Sequence, residues 1–209
     1  MLLQLFLTGF TAGLLNAYTC CYGQDRLITL GGDTIKVKIP AQAAAAGLPP
    51  HTEGKTIEYG FSRIAVVYPP DSVRLHLPGE IAGYIRQKAG RKAGAGIYLS
   101  KKVPPLTRFA EDREPKLLFM QRIGVHGDFS FWYFRQRSVY GTQPYYMLEV
   151  KGSEPVLIET YSQFVAWCQK HQQFYSLPKQ IPATRSQKHN PYALFGYLQK
   201  LTDYLNKNP

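Results

Sequence analysis

Hydrophobic and polar residues alternate with a period of two along most of the chain after residue 24, which is typical of strands with one buried face. The alternation is clearest in residues 26–30 and 34–39, and the glycine-rich turn 31–33 separates these two runs. Short alternating runs on both sides of such a turn predict a β-hairpin. Residues 40–55, with four consecutive alanines, carry no strand pattern and are expected to form a loop or one short helical turn.

The same pattern predicts a series of further short strands. They are expected at residues 56–59, 63–68, 73–77, 96–103, 116–125, 129–135, 145–150 and 155–158, with a tight turn at 78–81 that leads into residues 83–86. Tight turns or short loops separate the last four strands, and residues 136–144 are expected to be the loop between the second and third of them. This arrangement is typical of an antiparallel meander.

The periodicity changes to that of a helix at Thr160. Thr160 and Gln163 have the spacing of a capping box, and apolar residues then recur at helical intervals up to Cys168. Asn190-Pro191 repeats the start pattern ahead of a leucine stripe. The predicted fold class is α+β: a predominantly antiparallel β-sheet with two C-terminal α-helices, in a single domain over residues 24–209 that is β-rich at 24–158 and helical at 160–207.

The first 23 residues contain no charged side chain, and a mostly apolar run occupies residues 2–15. This pattern is typical of a secretory signal peptide, with cleavage expected between Gly23 and Gln24. A retained or lipid-linked anchor and a buried core helix are the alternatives. The signal-peptide interpretation predicts an exported protein in the periplasm, the cell envelope or the medium.

Cleavage after Gly23 would remove Cys20 and Cys21 and leave Cys168 alone. The mature chain would then have no intramolecular disulfide, so its stability would depend on the hydrophobic core. The position of Cys168 in an apolar helical stripe predicts that its side chain is buried.

The chain has 209 residues, 44% of them hydrophobic, and a formal net charge of +11. This composition excludes a disordered chain and a multi-span membrane protein, and the charge favours anionic partners. The positive excess comes from two segments without any acidic residue, 81–110 with seven basic residues and 160–202 with five.

A glycine-rich cationic loop lies inside the first acid-free segment. Its basic residues are the candidate site for an anionic glycan, a lipid head group or an acidic protein: Arg86, Lys88, Arg91, Lys92, Lys101 and Lys102. The alternative is a solvated loop that only aids solubility. Export would keep the protein away from nucleic acid, so no nucleic-acid partner is expected.

The residues indicate no catalytic constellation, metal site or cofactor. Cys168 and His171 lie three residues apart but lack an orienting third residue, and the histidines are scattered without a ligand motif. The glycines at 90–96 open a strand rather than a helix, which argues against a nucleotide loop. A hydrolase with a dispersed site stays an alternative; it predicts a pocket lined by two or more of Glu58, Glu80, Asp128, His126 and His171.

Aromatic residues are dense from Phe129 to Tyr146. Alternation places Phe129, Phe131 and Tyr133 on one strand face and puts Trp132 and Phe134 on the other. Aromatic residues on both faces favour a strand covered on both sides, and an exposed platform for stacking sugars is the alternative.

Two short motifs carry a resemblance. They are Gly32-Asp33-Thr34-Ile35-Lys36-Val37-Lys38-Ile39 and Leu75-His76-Leu77-Pro78-Gly79-Glu80-Ile81-Ala82-Gly83-Tyr84. With the N-terminal segment, the meander and the C-terminal helix, they make the chain similar to uncharacterised exported proteins of Bacteroidota. The resemblance implies export but no reaction and no site residues. The function expected from the sequence is that of a non-enzymatic envelope or binding protein, with a hydrolase or a structural partner of another envelope protein as alternatives.

Overall fold

The computed structural model describes residues 25–40, 56–57, 60–68, 70, 72–87, 96–105, 115–138 and 141–207. The strands in this part of the chain are β1 (Asp25–Ile28), β2 (Thr34–Val37), β3 (Thr56–Ile57), β4 (Ile64–Tyr68), β5 (Ser72–His76), β6 (Gly83–Arg86), β7 (Gly96–Val103), β8 (Lys116–His126), β9 (Phe129–Ser138), β10 (Gly141–Val150) and β11 (Val156–Ile158). The helices are α1 (Tyr161–Lys170), a 3₁₀ turn (Gln172–Phe174), α2 (Leu177–Gln180), α3 (Arg185–His189) and α4 (Ala193–Lys207). The α+β fold class with a mostly antiparallel sheet is therefore confirmed.

The chain divides into two compact units. The first contains residues 1–50 and 63–98, and the second contains residues 51–62 and 99–209. The boundary falls inside strand β7, so the first three residues of this strand belong to the first unit and the rest to the second.

The first unit is built from two hairpins. Strands β1 and β2 pair antiparallel, and β6 pairs with the other side of β1, which gives the order β6-β1-β2. Strands β4 and β5 form the second hairpin. The carboxylate of Asp25 accepts hydrogen bonds from the backbone amides of Ile39 and Gln87 and so ties the ends of β2 and β6 together. The predicted first hairpin is confirmed, and Gly32 in its turn has a φ of 90°, a conformation that favours glycine.

The second unit contains the predicted meander, with the strand order β7-β8-β9-β10-β11. Strand β3 pairs with Gln136 and Arg137 of β9, beyond the point where β8 leaves that strand. Residues 136–138 and 141–144, expected as a loop, instead extend β9 and β10. Their polar side chains and Pro144 interrupt the alternation that predicts a strand. The pairing between β9 and β10 nevertheless continues through these residues.

Four α-helices follow the last strand, where two were expected. Helix α1 has the predicted capping box at Thr160, and α4 follows Asn190-Pro191 and buries three of the four leucines of the predicted stripe, all but Leu205. Helices α2 and α3 have four and five residues, too short to show a 3.6-residue period. Helix α3 nevertheless begins with a second capping box, formed by Thr184 and Gln187.

Aromatic rings fill the interface between the helices and one face of the second unit's sheet. Phe129 of β9 stacks on Trp167 of α1 with ring centroids 5.5 Å apart, and Phe131 lies 6.4 Å from Phe164 of the same helix. Trp132 and Phe134 on the opposite face of β9 are also buried. Burial on both faces confirms the core interpretation of these aromatic residues over the sugar platform.

Helix α4 approaches strand β8 most closely at Gly124. The strand has a bulge between Arg122 and Gly124 in its pairing with β9. A Cβ atom on Gly124 would lie 2.2 Å from the Oγ1 atom of Thr202 and 2.6 Å from its Cβ atom. Thr202 is itself buried and donates a hydrogen bond to the carbonyl of Leu198. The short distance between α4 and β8 therefore requires a glycine at position 124.

The Gly124→Ala substitution is expected to lower the free energy of unfolding by about 1–3 kcal/mol, because the added methyl group forces the helix away from the strand. Urea unfolding followed by tryptophan fluorescence measures this loss. Gly196→Ala on the open side of α4 is the matched control, since a Cβ atom there meets nothing within 4 Å. It should leave stability unchanged or raise it by up to about 1 kcal/mol. Equal effects of the two substitutions would contradict the close approach.

Candidate functional site

The structure describes three of the six basic residues predicted as an anion site, and these three occupy different environments. Lys88, Arg91 and Lys92 lie outside the described residues. Lys102 is exposed on β7. Arg86, at the end of β6, is buried, and its Nη2 atom donates a hydrogen bond to the carbonyl of Ile39 at 3.3 Å. The guanidinium of Arg86 therefore makes a contact inside the first unit instead of facing solvent.

Lys101 is engaged within the second unit. Its Nζ atom lies 3.1 and 2.9 Å from the two carboxylate oxygens of Glu149 on β10, and 4.5 Å from the centre of the Trp132 ring. Both members of the ion pair are about 30% exposed. The charge of Lys101 is therefore matched by a partner carboxylate and an aromatic face, which reduces its value for an external anion.

Glu149 is the centre of a polar cluster on the sheet face opposite the helices. Besides Lys101, its Oε2 atom accepts hydrogen bonds from the Ser130 hydroxyl at 3.1 Å and the Trp132 indole at 2.8 Å. Burial raises the pKa of Glu149, but these hydrogen bonds and the positive charge of Lys101 outweigh it, so the pKa is lowered overall. The cluster is therefore a satisfied structural network with an ionised carboxylate.

The helices of the second unit carry a further group of exposed positive charges, in addition to exposed strand residues such as Lys102, Arg122 and Arg137. We call the five basic residues of segment 160–202 the basic layer. All five are exposed, and at least one lies on each of the four α-helices: Lys170, Lys179, Arg185, Lys188 and Lys200. None of them forms an ion pair with a described residue, and the segment from Thr160 to Thr202 contains no acidic side chain.

The local sequence explains why these charges face outward. Helix α1 buries Phe164, Trp167 and Cys168, and α4 buries a stripe of leucines, so the apolar side of each helix faces the core. Helix α3 buries no residue. The polar residues of these helices are left on the outer side, and in this segment the charged ones are all cations. The sequence pattern located this acid-free segment but favoured the loop at 86–102 as the binding site.

The described residues considered for catalysis each contact different neighbours. Cys168 is buried, and burial raises the pKa of its thiol to about 12, so it holds little thiolate at neutral pH. The ring of His171 packs on Trp167 at 4.4 Å. His126 contacts Asn206 at 3.0 Å, and Asp128 lies 3.7 Å from Lys151.

The two other carboxylates named for the hydrolase alternative do not strengthen it. Glu58 lies outside the described residues, and Glu80 accepts a hydrogen bond from the Leu77 amide in the turn after β5. Within the described residues, no group of three or more His, Cys, Asp and Glu side chains could hold a metal ion.

Sequence reasoning missed one polar arrangement in the first unit. His76 at the end of β5 is 5% exposed, and its Nε2 atom lies 2.9 Å from the hydroxyl of Tyr68 on β4. Among the described residues, its Nδ1 atom has no hydrogen-bond partner, and it lies 3.9 Å from the carboxylate of Glu80. Burial and the positive charge of Arg74 lower the pKa of His76, and Glu80 opposes them. Finding this contact from sequence would have required the register of the β4–β5 hairpin.

Comparisons with protein-family models, with curated proteins and with solved structures found no match for this chain. In the described part of the chain, no helix has the length and apolar character needed to cross a membrane.

We expect the folded protein to lose stability as the pH falls below about 6.5, because the folded state holds the His76 proton less tightly than the unfolded state. NMR titration of the histidine rings should give His76 a midpoint below the ordinary value, with its resonance assigned by its loss in His76→Asn. Arg74→Gln should raise this midpoint, and Glu80→Gln should lower it further. A midpoint at or above 6.5, or one that neither substitution moves, would contradict the arrangement.

Glu149→Gln is expected to lower the free energy of unfolding by roughly 1–3 kcal/mol, because the half-buried ammonium of Lys101 loses its charged partner. Urea unfolding followed by the fluorescence of Trp132 and Trp167 measures this change. Glu154→Gln, the same substitution at an exposed turn position, should change stability by less than about 0.5 kcal/mol. If Glu149→Gln is tolerated and Glu154→Gln is destabilising, the cluster around Glu149 does not stabilise the fold.

Proposed function

We propose that this protein is a non-enzymatic binding protein for an anionic partner and that the basic layer is its main binding surface. The observation that carries the proposal is the set of five exposed cations on α1–α4, none of which is paired with a described acidic residue. Unpaired surface cations with no acidic neighbour in their own segment produce a positive local potential, which attracts and holds polyanions.

The contacts of the predicted site residues favour a binding surface on the helices over one at residues 86–102. Arg86 and Lys101 use their charges for contacts within the fold, with Ile39 and Glu149. Lys102 is the exposed cation among the three predicted site residues that the structure describes. Lys88, Arg91 and Lys92 lie outside the described residues and stay candidates for an anionic partner from the sequence.

The proposal includes export, for which the uncharged apolar segment at residues 1–23 is the support. In that location an anionic glycan, a lipid head group or an acidic protein would be the available partner. The hydrolase alternative receives less support, because His126, Asp128 and His171 each contact a different neighbour among the described residues.

The Arg185→Gln/Lys188→Gln variant is expected to weaken binding of a fluorescent heparin fragment roughly tenfold at about 50 mM NaCl, with a shallower dependence of affinity on salt. Fluorescence anisotropy at several salt concentrations measures both quantities. Helix α3 buries neither residue, so the variant should stay folded.

The matched control is Lys36→Gln/Lys38→Gln, which removes the same two charges from exposed positions at strand β2. It should weaken binding less than threefold. Equal losses in the two variants would mean that the net charge of +11, and not the basic layer, controls binding. Absence of salt-sensitive binding to any polyanion would overturn the proposed function.

A further inference from the structure

We infer that the basic layer docks on an anionic lipid surface, an inference that rests on the proposed function and names its partner. Three properties of the layer point to a partner of this kind. They are the chemistry of its cations, their distribution over the helices and the exposed tyrosines among them.

The cations suit a diffuse negative field. Four of the five are lysines, and lysine presents a mobile point charge on a flexible stem instead of the rigid fork that selects one carboxylate or phosphate. The side chains are exposed, so their stems can adjust to head groups at different heights. These properties favour a surface of many similar anions over a single ligand held in one geometry.

The cations are also spread over four helices. Helix α4 alone has 15 residues and is therefore roughly 22 Å long, and Lys200 lies on it while the others lie on three separate helices. One small anion cannot contact all of them. A membrane leaflet instead offers a continuous array of phosphates to which cations at separate positions can bind.

Exposed tyrosines lie in the same segment. Tyr175 is 54% exposed, and the Nζ atom of Lys179 lies 5.6 Å from the centre of its ring. Tyr192 is 47% exposed, and its hydroxyl donates a hydrogen bond to the carbonyl of Thr142. Tyrosine combines an apolar ring with a polar tip, and such residues are enriched at the head-group level of membranes. Exposed tyrosine beside lysine, with no acidic residue in the segment, therefore favours lipid over a soluble polyanion.

The test is cosedimentation of the full chain with phosphatidylcholine vesicles that contain about 30% phosphatidylserine, compared with pure phosphatidylcholine vesicles. We expect binding only to the anionic vesicles. Each basic residue near such a surface contributes about a fivefold factor in partitioning, so Arg185→Gln/Lys188→Gln should bind roughly 25-fold more weakly. Lys36→Gln/Lys38→Gln should bind within threefold of the unmodified protein.

Tyr175→Ala separates lipid from soluble polyanions. It should weaken vesicle binding severalfold and leave heparin binding unchanged, since its ring would contact the head-group region but carries no charge. Binding to heparin without binding to vesicles, or equal effects of Tyr175→Ala on both, would overturn the lipid inference and leave the proposed function intact. Binding to neither probe would overturn both.

Discussion

The packing of an aromatic strand face against helix α1 is the constraint on which the second unit depends. Phe129 and Phe131 of β9 meet Trp167 and Phe164 of α1, and the side chains at this interface are buried. Because this contact uses the apolar side of the helix, the polar residues of α1 can only face outward. The same holds for α4, which buries three of its four leucines and exposes Lys200. The positive outer surface is thus a consequence of how the core is filled.

The distance between helix and sheet is set at another point of the same interface. Gly124 lets α4 come close enough to β8 for Thr202 to occupy the space of a side chain. Thr202 satisfies its own hydroxyl through Leu198, so it can be buried at this contact without losing a hydrogen bond. The bulge beside Gly124 and the buried Thr202 on α4 therefore both belong to the close contact between this helix and β8.

Local patterns predicted the strands and the two longer helices well, because alternation and capping boxes depend on residues close together in the chain. The β1–β2 hairpin and the start of α1 at Thr160 are examples. The polar contacts could not be predicted in this way. Lys101 and Glu149 are 48 residues apart, and the contact between Tyr68 and His76 depends on the register of a hairpin. The short helices α2 and α3 lack the length that periodicity requires.

The two acid-free segments show why charge counted along a sequence is an incomplete guide to a binding surface. Lys101 belongs to a segment without acidic residues, but its strand places it beside Glu149, which comes from a later strand. In a sheet, the neighbours of a side chain come from other parts of the sequence, and these can carry the opposite charge. The helices of the basic layer pack with one another, since α1 contacts α2 and α3, and α3 contacts α4, so their charged neighbours come largely from the same acid-free segment. An acid-free segment therefore indicates a positive surface more strongly in a helical layer than in a strand.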